Sequence, residues 1–214
     1  MLAKLRSVRP EHLIMLLRGM IWQVLHFRFG AIVLMDRGAQ IRLDRRVRLT
    51  GLIKLGRHSR MDLRFTAAGN VGPGFSLGDF SIFRASGSSS FTCPRVEVAE
   101  NVSFGPYCNI GGGFGLSIGA DVIGGPYVSI HPEEHGLDPD VPIRAQPVQG
   151  TGIAIERDCW LGAKSTILDG SHLEEGTVLA AGAVLTGTRT ERMSLYAGLP
   201  AKRVRTRHPD GGCS

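Results

Sequence analysis

Residues 155–185 read IERDCWLGAKSTILDGSHLEEGTVLAAGAVL, and a branched aliphatic residue returns at every sixth position: Ile155, Leu161, Ile167, Leu173, Leu179 and Leu185. An α-helix turns about 100° per residue, so a six-residue step would scatter these side chains over three faces. Six is a multiple of the strand period of two, so short strands keep them on one side. Four residues after each of the first five aliphatics comes a small side chain, in turn Cys159, Ser165, Ser171, Thr177 and Ala183. Small groups suit the corners of a triangular prism, where inward-pointing atoms crowd. The expectation is an all-β chain, a parallel β-helix built on hexapeptide repeats.

Outward from this stretch the same step recurs with interruptions. Ile41, Val47 and Ile53 are six apart, as are Leu43, Leu49 and Leu55, and as are Phe65, Val71, Leu77 and Phe83. Residues 84–95 break the period, which is expected to form a loop or widened corner. It resumes at Val98, Phe104 and Ile110. Gly111, Gly112 and Gly113 then delay Ile118 by two residues, and are expected to form a turn with unusual dihedrals rather than a phosphate loop, since no Gly-Lys-Ser/Thr follows. After Ile118 the sixth positions are Gly124 and Ile130. Residues 131–152 hold four prolines, two histidines and no hexad; a loop this long in a compact solenoid is usually functional. The organisation expected is a helix over 1–30, a β-helix domain over 31–205 with its loop at 131–152, and a tail at 206–214.

At the N-terminus Lys4, Arg6 and Arg9 precede a predicted helix from about Glu11 to Phe29. Leu13, Leu16, Leu17, Met20, Ile21, Val24 and Leu25 make a wide apolar stripe, with Arg18, His26 and Arg28 on the remainder. Two readings fit: the helix caps the first coil, or residues 1–29 meet anionic lipid at the inner face of the membrane. Basic residues break the segment and no small-residue cleavage site follows, so no secretory signal is expected. Cys93, Cys108, Cys159 and Cys213 lack metal-ligand spacing and read as free thiols in a reducing, cytoplasmic compartment. The 214 residues carry a net charge of +6, which favours anionic partners. A nucleic-acid partner is not expected, because no aromatic platform or recognition motif accompanies the charge.

The chain resembles the hexapeptide-repeat acyltransferases over roughly residues 38–205. The resemblance rests on the histidine loop His131–Gly136, then Trp160-Leu161-Gly162, then Ala181-Gly182-Ala183-Val184-Leu185-Thr186, and the tail Gly198-Leu199-Pro200-Ala201-Lys202-Arg203-Val204. The loop segment PEEHGLDPDVPIRAQ is most similar to the acetyltransferases of bacterial surface-polysaccharide clusters. The resemblance implies a left-handed coil, a homotrimer, and acetyl-coenzyme A as donor to a sugar hydroxyl.

It also implies roles by position. A hydroxyl needs a base to become a nucleophile, and histidine suits neutral pH. His135 precedes Trp160 by the interval that the family's catalytic histidine shows, so His135 is the expected base and His131 the lesser candidate. Glu133, Glu134 or Asp138 would hold its second nitrogen. Asn109, His131 and Glu134 are expected at the acceptor. Trp160, Ala163 and Ala181 are expected along the pantetheine and Thr186 at the pantetheine or the adenine, with Lys202, Arg203 and Arg205 at the phosphates and the Ala163 N–H at the developing oxyanion. No metal is expected. Three rivals remain: a xenobiotic acetyltransferase, a zinc carbonic anhydrase using His131, His135 and either His58 or His172, and a non-catalytic scaffold.

Overall fold

In the computed structural model, which describes residues 10–85 and 93–207, the hexads form the walls of a three-sided prism. Leu161 pairs with Leu179, Ile167 with Leu185 and Ile155 with Leu173, so each hexad supplies one face and three hexads complete a coil. Among the described residues the faces hold nine, seven and six strands. The first runs from Ala31–Met35 to Ser194–Ala197, the second from Gln40–Leu43 to Val184–Leu185, and the third from Val47–Leu49 to His172–Leu173. Every rung along these walls is parallel. The one antiparallel addition to them is Lys202–Thr206, which turns back beside Ser194–Ala197.

The six aliphatic residues of the opening stretch are all buried, as are the five small corner residues. Side chains stack in columns down the inside. On the second face Ile41, Met61, Phe83, Ile110, Ile130, Ile167 and Leu185 are consecutive neighbours. On the first face Gly124 interrupts a column between Phe104 and Leu161. A Cβ at Gly124 would lie 2.4 Å from Cδ1 of Phe104, so the absent side chain makes room for the ring below.

Three expectations need correction. Phe65 does not point inward: it sits at a corner with φ 57°, 39% exposed, under the Arg64 guanidinium, and Thr66 is the buried residue beside it. The triple glycine carries no left-handed dihedral; that falls to Gly115, with φ 119°. Instead, Gly112 packs against Ala85 and Val96, and Gly113 against Pro132 and Glu133, where a Cβ would crowd each. The helix spans Pro10–His26 and ends three residues early, because Phe27 takes φ 53° and the Arg28 N–H reaches back to the Gln23 carbonyl.

The helix does cap the prism, but not with its wide stripe. It buries Met15, Gly19, Trp22 and Gln23. Gly19 lies so close to the Val33 carbonyl that any Cβ would clash. Trp22 Nε1 donates to the Ile41 carbonyl at 3.2 Å, and Gln23 Nε2 donates to the carbonyls of Arg28 and Ala31, each at 2.8 Å. This narrow row meets the first strand, while Leu13, Leu17, Met20, Ile21, Val24 and Leu25 face solvent. Lys4, Arg6, Arg9, Cys213 and most of the expected break at 84–95 lie outside the described residues, as does the tail from residue 208.

Candidate active site

The loop at 131–152 leaves the second face after Ser129–His131 and returns to the third at Ile153–Ile155. Its stem is a short antiparallel ladder in which His135 pairs with Val148 and Glu134 with Gln149. Gln146 is buried and organises the tip. Its Oε1 accepts the Asp138 N–H at 2.9 Å, and its Nε2 donates to the carbonyls of Asp138 at 2.9 Å and Val141 at 2.6 Å. At the far end Asp169 accepts the N–H groups of Thr151 and Gly152. The loop is therefore held at its stem, at its tip and at its return.

The two histidines differ in setting. His135 is exposed, and no carboxylate hydrogen-bonds its ring among the described residues; Glu134 is exposed, and Asp138 accepts the Asp140 N–H instead. His131 is half-buried on the strand, with Nε2 2.7 Å from Ser129 Oγ. Burial pushes its pKa below the ordinary histidine value; Arg84 adds to the shift, and Glu133 opposes it. Among the described residues, one Glu133 carboxylate oxygen is buried without a hydrogen-bond partner. Asn109 is the register partner of Ser129, so Asn109, Ser129 and His131 share one outward patch of the second face.

The corner between the first and second faces carries Ala163 and Ala181. Pro106 and Pro126, at the same corner in earlier coils, have no N–H. Among the described residues the N–H groups of Ala163 and Ala181 donate to nothing, although the Ala163 carbonyl accepts the Gly182 N–H at 2.9 Å. Glycines hold the coils tight here: a Cβ at Gly162 would lie 2.5 Å from the Ala181 nitrogen. Trp160 stands on the outer first face, 55% exposed. It lines a groove of about 490 Å³ with Ile123, Val178, Leu195, Arg205 and Arg207. Arg207 is tied to Asp158 at 2.9 Å. Of the expected phosphate ligands, Arg203 is engaged by Glu191 at 2.8 Å, whereas Lys202 forms no ion pair among the described residues. Thr186 is exposed just past Val184–Leu185.

The structure thus places Asn109 and His131 together, with His135 apart from them on the loop, and Ala163 and Ala181 on one corner beside Trp160. Ser129, Gln146, Asp169 and Arg207 were not expected from sequence, whereas Arg205 was expected at the phosphates and lines the groove beside Trp160. Ser129 is two residues before His131, hence on the same side of a strand, and alternation alone would have found it. The histidines needed for a carbonic anhydrase do not converge within one chain. His58 lies at the first corner, stacked on Phe80, and His172 lies on the third face. There Glu156 accepts from His172 at 2.9 Å, and Glu174 pairs with Arg189, so the nearby carboxylates are already engaged.

No protein-family model matches the chain. It is 27% identical over 115 residues to the Escherichia coli (strain K12) protein named "Putative lipopolysaccharide biosynthesis O-acetyl transferase WbbJ", covering 50% of this chain and 58% of that one. It is 28% identical over 138 residues to the Mycobacterium tuberculosis "Probable acetyltransferase Rv3034c", covering 64% and 44%. The chain therefore spans about half the length of the curated relatives it matches. Among solved structures, a variant of AntD, an N-acyltransferase from Bacillus cereus in complex with dTDP and coenzyme A, superposes with a TM-score of 0.55 over 89% of each chain at 15% identity. That likeness is one of fold. The chain is a left-handed parallel β-helix built on hexapeptide repeats, the fold of the acyltransferases that its sequence resembles.

Proposed function

We propose that the chain is an acetyl-coenzyme-A-dependent O-acetyltransferase that modifies a sugar hydroxyl in surface-polysaccharide synthesis. The observation that carries this reading is the pair of unbonded N–H groups at Ala163 and Ala181. Among the described residues the corner N–H groups of Asp79, Glu100, Ala120 and Arg157 are also unbonded, and what sets Ala163 and Ala181 apart is that two adjacent coils carry small side chains there. Here two donors on adjacent coils face a corner lined with small residues, which suits the peptide-like groups of pantetheine. The sequence relatives named as acetyltransferases point the same way.

His135 accepts the proton of the acceptor hydroxyl as its oxygen bonds to the thioester carbonyl carbon. The carbon–sulfur bond breaks, and the proton passes to the departing sulfur. The Ala163 N–H stabilises charge on the carbonyl oxygen. Trp160 flanks the pantetheine, Thr186 contacts it, and Lys202 meets the phosphates, joined by Arg203 once Glu191 releases it. Asn109 and Glu134 position the acceptor. Among the described residues no side chain hydrogen-bonds the His135 ring on its hairpin, and the site is completed by a neighbouring subunit in a homotrimer. The donor places the reaction in the cytoplasm. A second reading, with His131 as the base, is favoured by its Ser129 contact and lowered pKa.

The test is incubation with acetyl-coenzyme A and candidate nucleotide-linked and lipid-linked sugars, followed by mass spectrometry. Gain of one acetyl group, lost in the presence of a desulfo analogue of coenzyme A, is expected. Absence of both acetyl transfer and acetyl-coenzyme A binding would leave the scaffold reading. Light scattering should give three times the chain mass; a fully active monomer would overturn the shared site.

A further inference from the structure

The end of the prism that carries the helix differs from the rest in both charge and polarity. Residues 1–60 hold 13 of the 25 Lys and Arg residues and only 3 of the 19 acids. The remainder of the chain is therefore net acidic. Within the first coil Arg37, Arg42, Arg45 and Arg48 are exposed and form no ion pair among the described residues, while Arg18 and Arg46 face Asp36 and Asp44.

The apolar half of this end is equally uncompensated. Leu13, Leu17, Met20, Ile21, Val24 and Leu25 are each more than half exposed on the helix. Phe27, 84% exposed, and Phe29, 69% exposed, continue the surface beyond its C-terminus. They border a cavity of about 310 Å³ whose inner wall is Trp22, Val33, Val47 and Leu49 and whose polar lining includes Arg28 and Arg48. Arg28 is fixed there by donating to the carbonyls of Val47 at 2.8 Å and Asp44 at 2.7 Å.

We infer that this end docks on an anionic lipid bilayer, with the helix lying in the interface plane. The exposed leucine and aromatic side chains enter the acyl boundary, and the first-coil arginines meet headgroup phosphates. A second copy of the chain would suit the apolar face, but it would bring an identical ring of arginines against this one with few acids to offset them. A bilayer supplies both an apolar layer and a sheet of negative charge. Among the described residues no helix is long and apolar enough to cross a membrane, so the contact is peripheral. The inference does not depend on the acyl-transfer reading, although docking would bring a lipid-linked acceptor to the site.

The test uses the full chain in co-sedimentation with vesicles of phosphatidylcholine alone and of phosphatidylcholine with phosphatidylglycerol. Binding to the anionic vesicles should be at least tenfold stronger and should weaken with salt. Two double variants separate the contributions. Leu17→Glu with Ile21→Glu should reduce binding to anionic vesicles at least tenfold, with the melting temperature unchanged because both side chains are exposed. Arg45→Glu with Arg48→Glu should remove the preference for anionic lipid. Failure of the wild-type chain to bind anionic vesicles, or undiminished binding by the leucine–isoleucine variant, overturns the proposal. So does a fall in oligomeric mass in that variant without wild-type vesicle binding, which would show that a second copy covers the face. Acetyl transfer to a soluble acceptor is read separately, so either proposal can fail alone.

Discussion

Nε2 of His131 lies 2.7 Å from Oγ of Ser129, two residues earlier on the same outward face of one strand. That contact fixes one imidazole on the rigid wall of the prism, while His135 stands four residues further along on the hairpin of the loop. The wall favours orientation, and the loop favours reach toward a neighbouring subunit.

The two alanine variants separate these roles. His135→Ala is expected to lower kcat by roughly 10²–10⁴-fold, the usual contribution of a general base, with little change in KM for acetyl-coenzyme A. His131→Ala should cost much less. The base must be neutral to accept a proton, so activity is present above its pKa and is lost as pH falls through it. That acid limb should vanish in His135→Ala. A limb lying below the ordinary histidine value of about 6.5 and surviving in His135→Ala would assign the base to His131, whose pKa burial lowers.

Gln146 holds the loop tip through one accepted and two donated hydrogen bonds. Gln146→Ala leaves the Asp138 N–H and the carbonyls of Asp138 and Val141 without these partners. Amide exchange across residues 137–145 should accelerate by at least tenfold and kcat should fall, while the melting temperature moves little because the prism is untouched. Unchanged exchange in the variant would show that the stem alone orders the loop.

Gly124 is the gap in the first-face column, and its φ is not left-handed, so only space forbids a side chain. Gly124→Ala should destabilise the fold by about 1–3 kcal/mol, the usual cost of overpacking. The added methyl meets a Phe104 ring that the walls hold in place. Combining it with Phe104→Leu should recover part of the loss. Denaturant melts of the two single variants and the double variant measure that coupling directly; strictly additive losses would exclude the packing explanation.

Asp62 is buried between Arg60 and Arg64. Burial raises its pKa, but hydrogen bonds from Arg64 and Arg60 outweigh that and hold it down to about 2, from 3.8. A carboxylate depressed in the folded state stabilises the fold above its unfolded pKa, and the contribution fades as pH falls between about 4 and about 2. It amounts to at most about 2–3 kcal/mol, and less because both arginines are partly solvated. Asp62→Asn should therefore lower stability at pH 7 while leaving it nearly unchanged near pH 2. Parallel pH–stability curves for wild type and variant would exclude the assignment.

The β-helix was legible in the sequence because its cause is local and periodic. Each hexad of residues 155–185 carries one aliphatic and one small residue, and every coil repeats the same demand. Ile155 to Leu185 were read correctly, whereas Phe65 was not: it keeps the sixth-position count but falls on a corner, where the period does not say which neighbour turns inward. The motifs placed Trp160, Ala163, Ala181 and the histidine loop in order along the chain. Tertiary structure decided what surrounds them. That Ala163 and Ala181 keep unbonded N–H groups follows from the corner geometry of the stacked coils, which leaves Asp79, Glu100, Ala120 and Arg157 unbonded too among the described residues. That Gln146 is buried depends on a loop closing around it. The helix is the clearest case. Its spacing announced a wide apolar stripe, yet a single row through Gly19 was selected for burial, because only there can the helix backbone approach the Val33 carbonyl. Periodicity records what a segment can bury, and the shape of the partner surface decides what it does bury.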